Sequence, residues 1–570
     1  MKNGKEKSMK TVSRKCQIVI IIALAAYIIK NLFVGADSDE GYGIVLGYRL
    51  AMGDKLFWEM WEPHQTSAIF TVLFIKPFLW LTGDVEFLNI YLRMVYFLIH
   101  GVITAFVYRT LQTCIFQGEK KKALWLALLF FVSSPKCIYI PEYSNLHIWF
   151  FTLLCLSFLW YDCEDSPLKG KQTMLVAAGF FLACDILAYP SMVILFPVFL
   201  ILIWHRHAGK RSLAAFAGPC LLVGGALLCY VLSYMTVEQI LRVIPYILSD
   251  GSHQAGFWDK ILGWISGFGE IALIICLTGS IAGILTAAYS LLAHKKINRV
   301  PCFLMIFYLL QIIHQFYCWF ASRYNASYPH TIYLFITLTG IFCYRRGKIK
   351  EKSGLYFILF SCVNYLGVMF LSNWEPVHLM PYLILGALGG LIYWDDYLSG
   401  QLTAWKGKVI PVLSGILVLA NVFGYCWLFI GGEEIHSSLL TVGGINRTGL
   451  RKGTFTSYMQ AYRYNDDIKI WTEAVPEGST CLYIGALQYY YMFGDCKISA
   501  PSTISTPVYN ERMLTYWEMH PDRYPDVVVV ESWFGDMRAA QEGSFIREWL
   551  ENEFQASQIT DYSYVTVYRK

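Results

Sequence analysis

The sequence predicts a polytopic α-helical membrane protein of about thirteen transmembrane helices that ends in a small extracytoplasmic α/β domain. Three observations lead there. Apolar residues make up 56% of the 570 residues and charged ones only 15%, against about 25% charged in an ordinary soluble protein. Apolar runs near the ~20 residues needed to cross a ~30 Å hydrocarbon core recur along most of the chain. From residue 432 onward, short strand-like and helix-like runs alternate instead. Mean hydropathy is +0.44, so too little charge is present to cover a soluble surface, and a cytosolic enzyme is excluded. The 16% aromatic content and the lack of a repeat exclude a disordered or fibrous chain. A net charge of +5 does not imply a nucleic-acid partner. The sixteen cysteines mostly lie inside apolar runs, where Cys behaves as a small hydrophobe.

The first apolar run, 16–35, follows a basic tail, 1–15, with Lys2, Lys5, Lys7, Lys10, Arg14 and Lys15 against one acid, Glu6. Such a tail resists translocation, which predicts a cytoplasmic N-terminus at the plasma membrane. The length of the run and the absence of a small-x-small site before Asp37 argue against a cleaved signal peptide. Further runs lie near 88–111, 123–140, 146–161, 173–189, 191–204, 212–235, 261–293, 300–320, 329–344, 354–372, 376–394 and 409–431. The run 66–82 is ambiguous, because it is short and carries Lys76 and Pro77 near its centre. Charge parity resolves it. With 66–82 lying on the membrane surface, the basic stretches 109–122, 169–171, 206–211, 295–299, 345–352 and 406–408 all fall on the cytoplasmic side. The transmembrane part is then 16–431, with a long outer loop at 36–87, and 432–570 lies outside. In that last region strands are expected at 481–484, 527–530 and 562–568, and helices at 458–474, 512–520 and 543–553. Cys481 and Cys496 face an oxidising compartment there, although two cysteines alone do not establish a bridge.

The stretch 36–66 carries the chemistry. Asp37, Asp39 and Glu40 sit immediately beyond the first spanning helix, where acids at a hydrocarbon boundary are costly. Three readings stand. One carboxylate serves as general base on a hydroxyl; Asp37-x-Asp39 coordinates Mg²⁺ or Mn²⁺ through hard oxygens; or the acids merely favour the N-terminus of a helix at 40–52. Glu62, His64 and Gln65, in the same loop, point towards a substrate site.

Asp39-Glu40, then Gly53-Asp54, then the aromatic-flanked Glu62-Pro63-His64 ahead of an apolar surface helix closing at Leu81-Thr82-Gly83-Asp84 resemble the first outer loop of the GT-C superfamily. The similar branches are the bacterial aminoarabinose-transferase-like and protein O-mannosyltransferase-like enzymes. The chain differs from them in having His64-Gln65 where a second proline is common. The segment from Glu375 to Tyr382, with His378, resembles the Arg-Tyr-x-Leu-Pro-x-x-Pro signature of the same superfamily. The resemblance implies inverting transfer of a sugar from a polyprenyl-phosphate donor to a lipid, glycan or protein acceptor at the outer face. It gives Asp39 the role of base, with Glu40 and Asp37 orienting it, the acceptor or a metal.

The departing phosphate needs cationic or donor groups, for which Arg93, Arg323, His378 and His330 are candidates near outer helix ends. Snorkelling of Arg323 and polar helix starts for the histidines are the alternatives. Glu142 and Asn145 fall where relatives carry an acid opening the fourth helix, and either contact carrier or sugar or cap that helix. Asp185 is an intramembrane ionisable group, and 236–260 is either a closing loop or a linker. No Walker A stretch, Gly-x-Gly-x-x-Gly, zinc spacing or Ser-His-Asp signature is present. The rival classes are a transporter or flippase of a lipid-linked glycan, and a polymerase or ligase of surface polysaccharide.

Overall fold

The structure, a computed structural model, describes residues 2–570 apart from 36–37, 134–137, 164–170, 207–208, 249–256, 293–297, 322–327, 348–351, 373–374, 431–435, 486, 504–510, 533–543 and 563. Up to residue 427 it is helical: α1 (Lys2–Phe33), α2 (Ser38–Met52), α3 (Ala68–Thr82), α4 (Leu88–Thr110), α5 (Lys120–Phe131), α6 (Tyr143–Asp162), α7 (Lys171–Ala188), α8 (Leu195–His205), α9 (Gly209–Leu232), α10 (Val237–Leu248), α11 (Phe257–Leu292), α12 (Arg299–Ala321), α13 (Thr331–Arg346), α14 (Ser353–Leu371), α15 (Ile384–Gln401) and α16 (Val409–Trp427). Among the described residues, ten helical segments are long and apolar enough to cross a membrane by length and composition. The protein is thus a polytopic helical membrane protein.

Each apolar run contains a helix, but the run 123–140 does not stay helical to its end. Helix α5 stops at Phe131, and the chain reaches 138–140 as buried, non-helical backbone. Ser133 seals the helix end by donating to the Leu129 carbonyl at 2.7 Å.

The bundle has two chemically distinct ends. At one, Lys122 pairs with Asp395 at 3.0 Å, Arg206 with Asp162 at 2.7 Å, and Asn298 with Gln401 at 2.6 Å. The loop 36–66 lies at the other end, and α3 lies there with it. Thr66, just before α3, donates to the Leu187 carbonyl at the end of α7, and Thr71 donates to that of Pro141 just before α6. Beyond its left-handed Gly83 cap, the chain reaches Asn89, whose amide donates to Leu450 and whose side chain donates to Glu40. Both ends of α3 are therefore held at one end of the bundle, and the helix lies across it although its length and apolarity would suffice to span. Gly47 makes the seat on α2: a Cβ there would come within 2.8 Å of Ile75 and 2.9 Å of Thr71.

The remaining chain carries strands. The ribbon β1 (Leu428–Ile430) with β2 (His436–Ser438) and the ribbon β3 (Val442–Ile445) with β4 (Phe455–Ser457) precede α17 (Tyr458–Ala474). A five-stranded sheet follows, built from β5 (Thr480–Ile484), β6 (Lys497–Ile498), β7 (Val527–Glu531), β8 (Gln558–Asp561) and β9 (Val565–Arg569) in the order β6-β5-β7-β9-β8. Strand β5 runs parallel to β6 and β7, whereas β9 is antiparallel to β7 and β8. The expected single strand at 562–568 is instead the β8–β9 hairpin, closed where the Tyr562 amide donates to the Val565 carbonyl at 2.8 Å. Strands β5 and β7 are buried throughout, as strands covered on both faces are. Helices α18 (Glu511–Met519) and α19 (Phe545–Trp549) complete the region. Its apolar core is continuous with Ile44 and Val45 of α2, Ile75 of α3 and Leu88 and Leu92 of α4. The sheet is thus fused to the loop-bearing end of the bundle by shared burial.

Candidate active site

Three features converge where α1 gives way to α2. The first is a buried ion pair. Glu40, in the first turn of α2, is fully buried, and its two oxygens receive Arg93 Nε at 3.1 Å and Nη2 at 2.6 Å. The Asn89 side chain adds a donor at 3.2 Å and the Tyr139 amide one at 3.4 Å. The same guanidinium donates to the carbonyls of Gly35 at 2.8 Å, Asn31 at 3.2 Å and Leu32 at 3.3 Å, which are among the orphan acceptors at the end of α1. Burial alone would raise the Glu40 carboxyl. The charge and hydrogen bonds of Arg93, with help from Asn89 and Arg451, outweigh it and hold the group below the usual carboxylate range. Arg93 is accordingly committed to protein acceptors.

The second feature is a ring of aromatic side chains beside Asp39, which is half-buried in the same turn as Glu40. Asp39, Glu142, Tyr189 and Tyr382 all lie close enough to Tyr143 to act electrostatically on its hydroxyl. His64 stacks face to face on Tyr143 at 4.1 Å with a 2° interplanar angle, and meets Tyr189 at 4.8 Å. One turn deeper on α6, fully buried His147 contacts Tyr189 at 5.3 Å and Tyr382 at 5.5 Å, and its Nδ1 lies 2.6 Å from Asp185 Oδ1. Segments distant in sequence (the α1–α2 junction, 62–66, the start of α6, the end of α7 and 376–383) thus meet around one point.

The third feature is a clasp between the outer loop and the C-terminal region. Arg49 of α2, itself buried, donates to Asp54 at 2.8 Å, to Glu62 at 2.9 Å and to the Glu59 carbonyl at 2.6 Å. From the far end of the chain, the Thr503 amide reaches Glu62 at 3.2 Å, Arg523 reaches Asp54 at 2.8 Å, and Arg512 donates to the Trp61 carbonyl at 2.7 Å. Burial pushes the Glu62 carboxyl up even against the pull of Arg49. Tyr489 is pressed onto α2 at Gly41, where a Cβ would come within 2.9 Å of its ring, and the Arg451 guanidinium lies 4.0 Å from the centre of that ring.

Of the residues singled out in the sequence, the structure brings Asp39, His64 and Glu142 together around Tyr143. Glu62 belongs to the clasp. Glu142 also caps α6, accepting the amides of Ser144 and Asn145 at 2.8 Å each; the cap is thus Glu142 and not Ser144 or Asn145. Asn145 ties down the stretch before it, donating to the carbonyls of Ile138 at 3.1 Å and Ile140 at 2.9 Å. His378 is half-buried in the 3₁₀ segment that also carries Tyr382. His330 is buried against Tyr425, whose hydroxyl lies 2.9 Å from its Nε2, in a cluster apart from Tyr143. Asp37 and Arg323 lie outside the described residues, as does 249–256 of the segment 236–260, the rest of which is mostly α10 and the start of α11. Among the described residues, no group of three or more His, Cys, Asp or Glu side chains is arranged to hold a metal ion. Cys481 and Cys496 carry free thiols in contact with one another.

Sequence reasoning did not single out Tyr143, Tyr189, Tyr382 or His147. The four-residue spacing of Tyr143 and His147, which puts both on one face of α6, was the available signal. The pairing of His147 with Asp185 needs the fold.

No protein-family model and no curated protein sequence matches the chain. Solved structures similar to it include ArnT from Cupriavidus metallidurans in the apo state, at 11% identity over 98% of each chain with a TM-score of 0.43. The same protein bound to undecaprenyl phosphate is similar at 11% identity over 97% of this chain and 98% of that one, again with a TM-score of 0.43. The archaeal oligosaccharyltransferase AglB from Archaeoglobus fulgidus, in complex with an inhibitory peptide and a dolichol-phosphate, is similar at 9% identity over 90% of this chain and 69% of that one, with a TM-score of 0.43. Likeness at this level concerns helical arrangement and assigns no residue a role.

Proposed function

We propose that the protein is a GT-C-type membrane glycosyltransferase. It would transfer a sugar from a polyprenyl-phosphate donor to an acceptor at the extracytoplasmic face, with Asp39 as general base. The observation that carries this reading is the division of labour between two adjacent carboxylates. Glu40 is neutralised by Arg93 and buried, while Asp39, one residue earlier, stays half-buried at the aromatic ring formed by Tyr143, His64, Tyr189 and Tyr382. Adjacent acids in environments this different suit different tasks. The motifs Asp39-Glu40, Gly53-Asp54 and Glu62-Pro63-His64 support the superfamily. The gathering of basic loops at the opposite end of the bundle supports an outer position for the site.

In this reading the acceptor oxygen attacks the anomeric carbon and passes its proton to the Asp39 carboxylate. The bond from that carbon to the phosphate oxygen breaks, and its electron pair stays on the departing prenyl phosphate. A single displacement inverts the anomeric centre. Stacked aromatic faces such as His64 on Tyr143 offer apolar walls to a sugar ring while excluding water. Asp37, with Asp39, would be the place for a divalent cation if one takes part.

Sugar transfer by the purified protein from a panel of polyprenyl-phosphate sugars tests the reading, with Asp39→Asn and EDTA treatment alongside. Product formation that Asp39→Asn abolishes supports it. Full turnover by Asp39→Asn overturns the assignment of the base, and absence of transfer from every donor, together with movement of a lipid-linked glycan across the bilayer, favours a flippase.

A further inference from the structure

A buried acid–base pair lies directly beneath the aromatic ring and has no part in the reaction as derived so far. His147 and Asp185 are both fully buried, on neighbouring helices α6 and α7, with Nδ1 and Oδ1 2.6 Å apart. Among the described residues, His147 Nε2 and Asp185 Oδ2 have no hydrogen-bond partner. A fully buried imidazole nitrogen left without a partner is costly, by about 1–3 kcal/mol, and a purely structural clamp gains nothing from it. The ring that carries this nitrogen packs against Tyr189 and Tyr382, two residues that also act on Tyr143 beside Asp39.

We propose that His147, held by Asp185, is the acid that meets the donor's departing phosphate. This rests on the glycosyltransferase reading above and deepens it. Among the described residues, three arginines at the site end are held by carboxylates: Arg49 by Asp54 and Glu62, Arg93 by Glu40, and Arg523 by Asp54. A carboxylate accepting Nδ1–H fixes the tautomer and stabilises the imidazolium, leaving Nε2–H as the outward donor. A protonated imidazole is a charge-assisted hydrogen-bond donor to a phosphate oxygen and a competent general acid. The step balances. The anomeric carbon–oxygen bond breaks with its electrons staying on the phosphate oxygen, and the Nε2 proton goes to that phosphate. The acceptor proton goes to Asp39, and both residues reset by exchange with water. The titratable groups facing the ring are Asp185 from α7, Tyr189 from its end and Tyr382 from 376–383. Cys155 and Cys184 flank Asp185, and His64 and Tyr143 stand one ring further out.

The test titrates the full-length protein in lipid nanodiscs with undecaprenyl phosphate over about pH 5.5 to 8.5, which spans imidazole titration. Wild type is expected to bind roughly tenfold more tightly at the acid end, as a charge-assisted hydrogen bond forms. His147→Gln should lose that gain and its pH dependence. Asp185→Asn, which keeps an acceptor for Nδ1 and so guards against misfolding, should shrink the gain and move its midpoint to lower pH. Thermal melts accompany each variant. Wild-type affinity and pH dependence in both variants, with only the melting temperature lowered, would show an interhelical clamp and overturn the proposal. If wild type itself neither binds undecaprenyl phosphate nor transfers sugar, the glycosyltransferase reading fails instead.

Discussion

Arg93 and Glu40 lock three helices together with one cation. The guanidinium of α4 closes on the Glu40 carboxylate at 2.6 Å while also holding the carbonyls of Asn31, Leu32 and Gly35, where α1 ends. The position of Asp39 follows, since the residue before a carboxylate held at four points has little freedom to wander.

Removing one partner of that pair is expected to cost far more than removing both. Arg93→Ala leaves an uncompensated buried carboxylate, worth about 3–5 kcal/mol. The double variant Arg93→Leu with Glu40→Leu should recover much of that loss. Thermal unfolding of the purified variants measures both. A melting temperature for Arg93→Ala equal to that of wild type would show that the pair is not formed.

The pair also sets the response to acid. The folded Glu40 carboxyl lies below the usual range, so the fold binds this proton less readily than the unfolded chain does. Its contribution to stability is therefore complete above the unfolded value of ~4.3 and disappears as the pH falls through the depressed folded value. Acid melts should show wild type losing stability in that window. Glu40→Gln, already destabilised at neutral pH, should lose less over the same interval.

Asp39→Asn should behave oppositely to Arg93→Ala. A half-buried, isosteric change is expected to shift stability by no more than about 0.5 kcal/mol while lowering turnover about 10²–10⁴-fold, as loss of a general base does. Paired activity and melting measurements separate the two, and a large stability loss with intact turnover would reassign Asp39 to structure.

Disrupting the clasp should free the C-terminal region. Arg523→Ala and Glu62→Ala each break a contact between the outer loop and residues beyond 500. Limited proteolysis is expected to nick the C-terminal region of the variants faster than that of wild type. Equal digestion rates would mean that the shared apolar core alone holds the two together.

Cysteine labelling checks the lie of α3. With both ends of the helix on one side, Asp84→Cys should react with a membrane-impermeant thiol reagent from outside intact cells. Lys120→Cys, at the basic end, should react only after permeabilisation. Labelling of both from the same side would require α3 to cross.

Much of this arrangement was written in hydropathy and charge. Apolar runs gave the helices. Parity over six basic loops expects 66–82 on the membrane surface, and in the fold Thr66, Thr71 and Asn89 tie this stretch to one end of the bundle. The early end of α5 was less visible, because the apolar run continues through Pro135 and hides the break. The site was legible only in part. Asp39, Glu40, Glu62 and His64 stand out as polar groups in an apolar chain. Tyr143, Tyr189 and Tyr382 do not, since tyrosines are common here and their convergence depends on three helix ends meeting. Arg93 showed its charge in the sequence but not its partner, and that partner turns a candidate phosphate ligand into a brace for Glu40. The same limit hid Glu142 as a helix cap, for a cap is identified by the amides it reaches.

The clasp sets an order of events during synthesis. Glu62 waits for Thr503, 441 residues later, and Asp54 waits for Arg523, 469 residues later. At about 5–20 residues per second, the ribosome takes roughly 20 to 90 s to supply those partners. Throughout that interval Asp54 and Glu62 have Arg49 as a partner but lack the contacts that the end of the chain brings. A nascent chain released early would therefore carry every membrane segment and still lack a finished outer loop, which makes the last seventy or so residues a checkpoint on assembly.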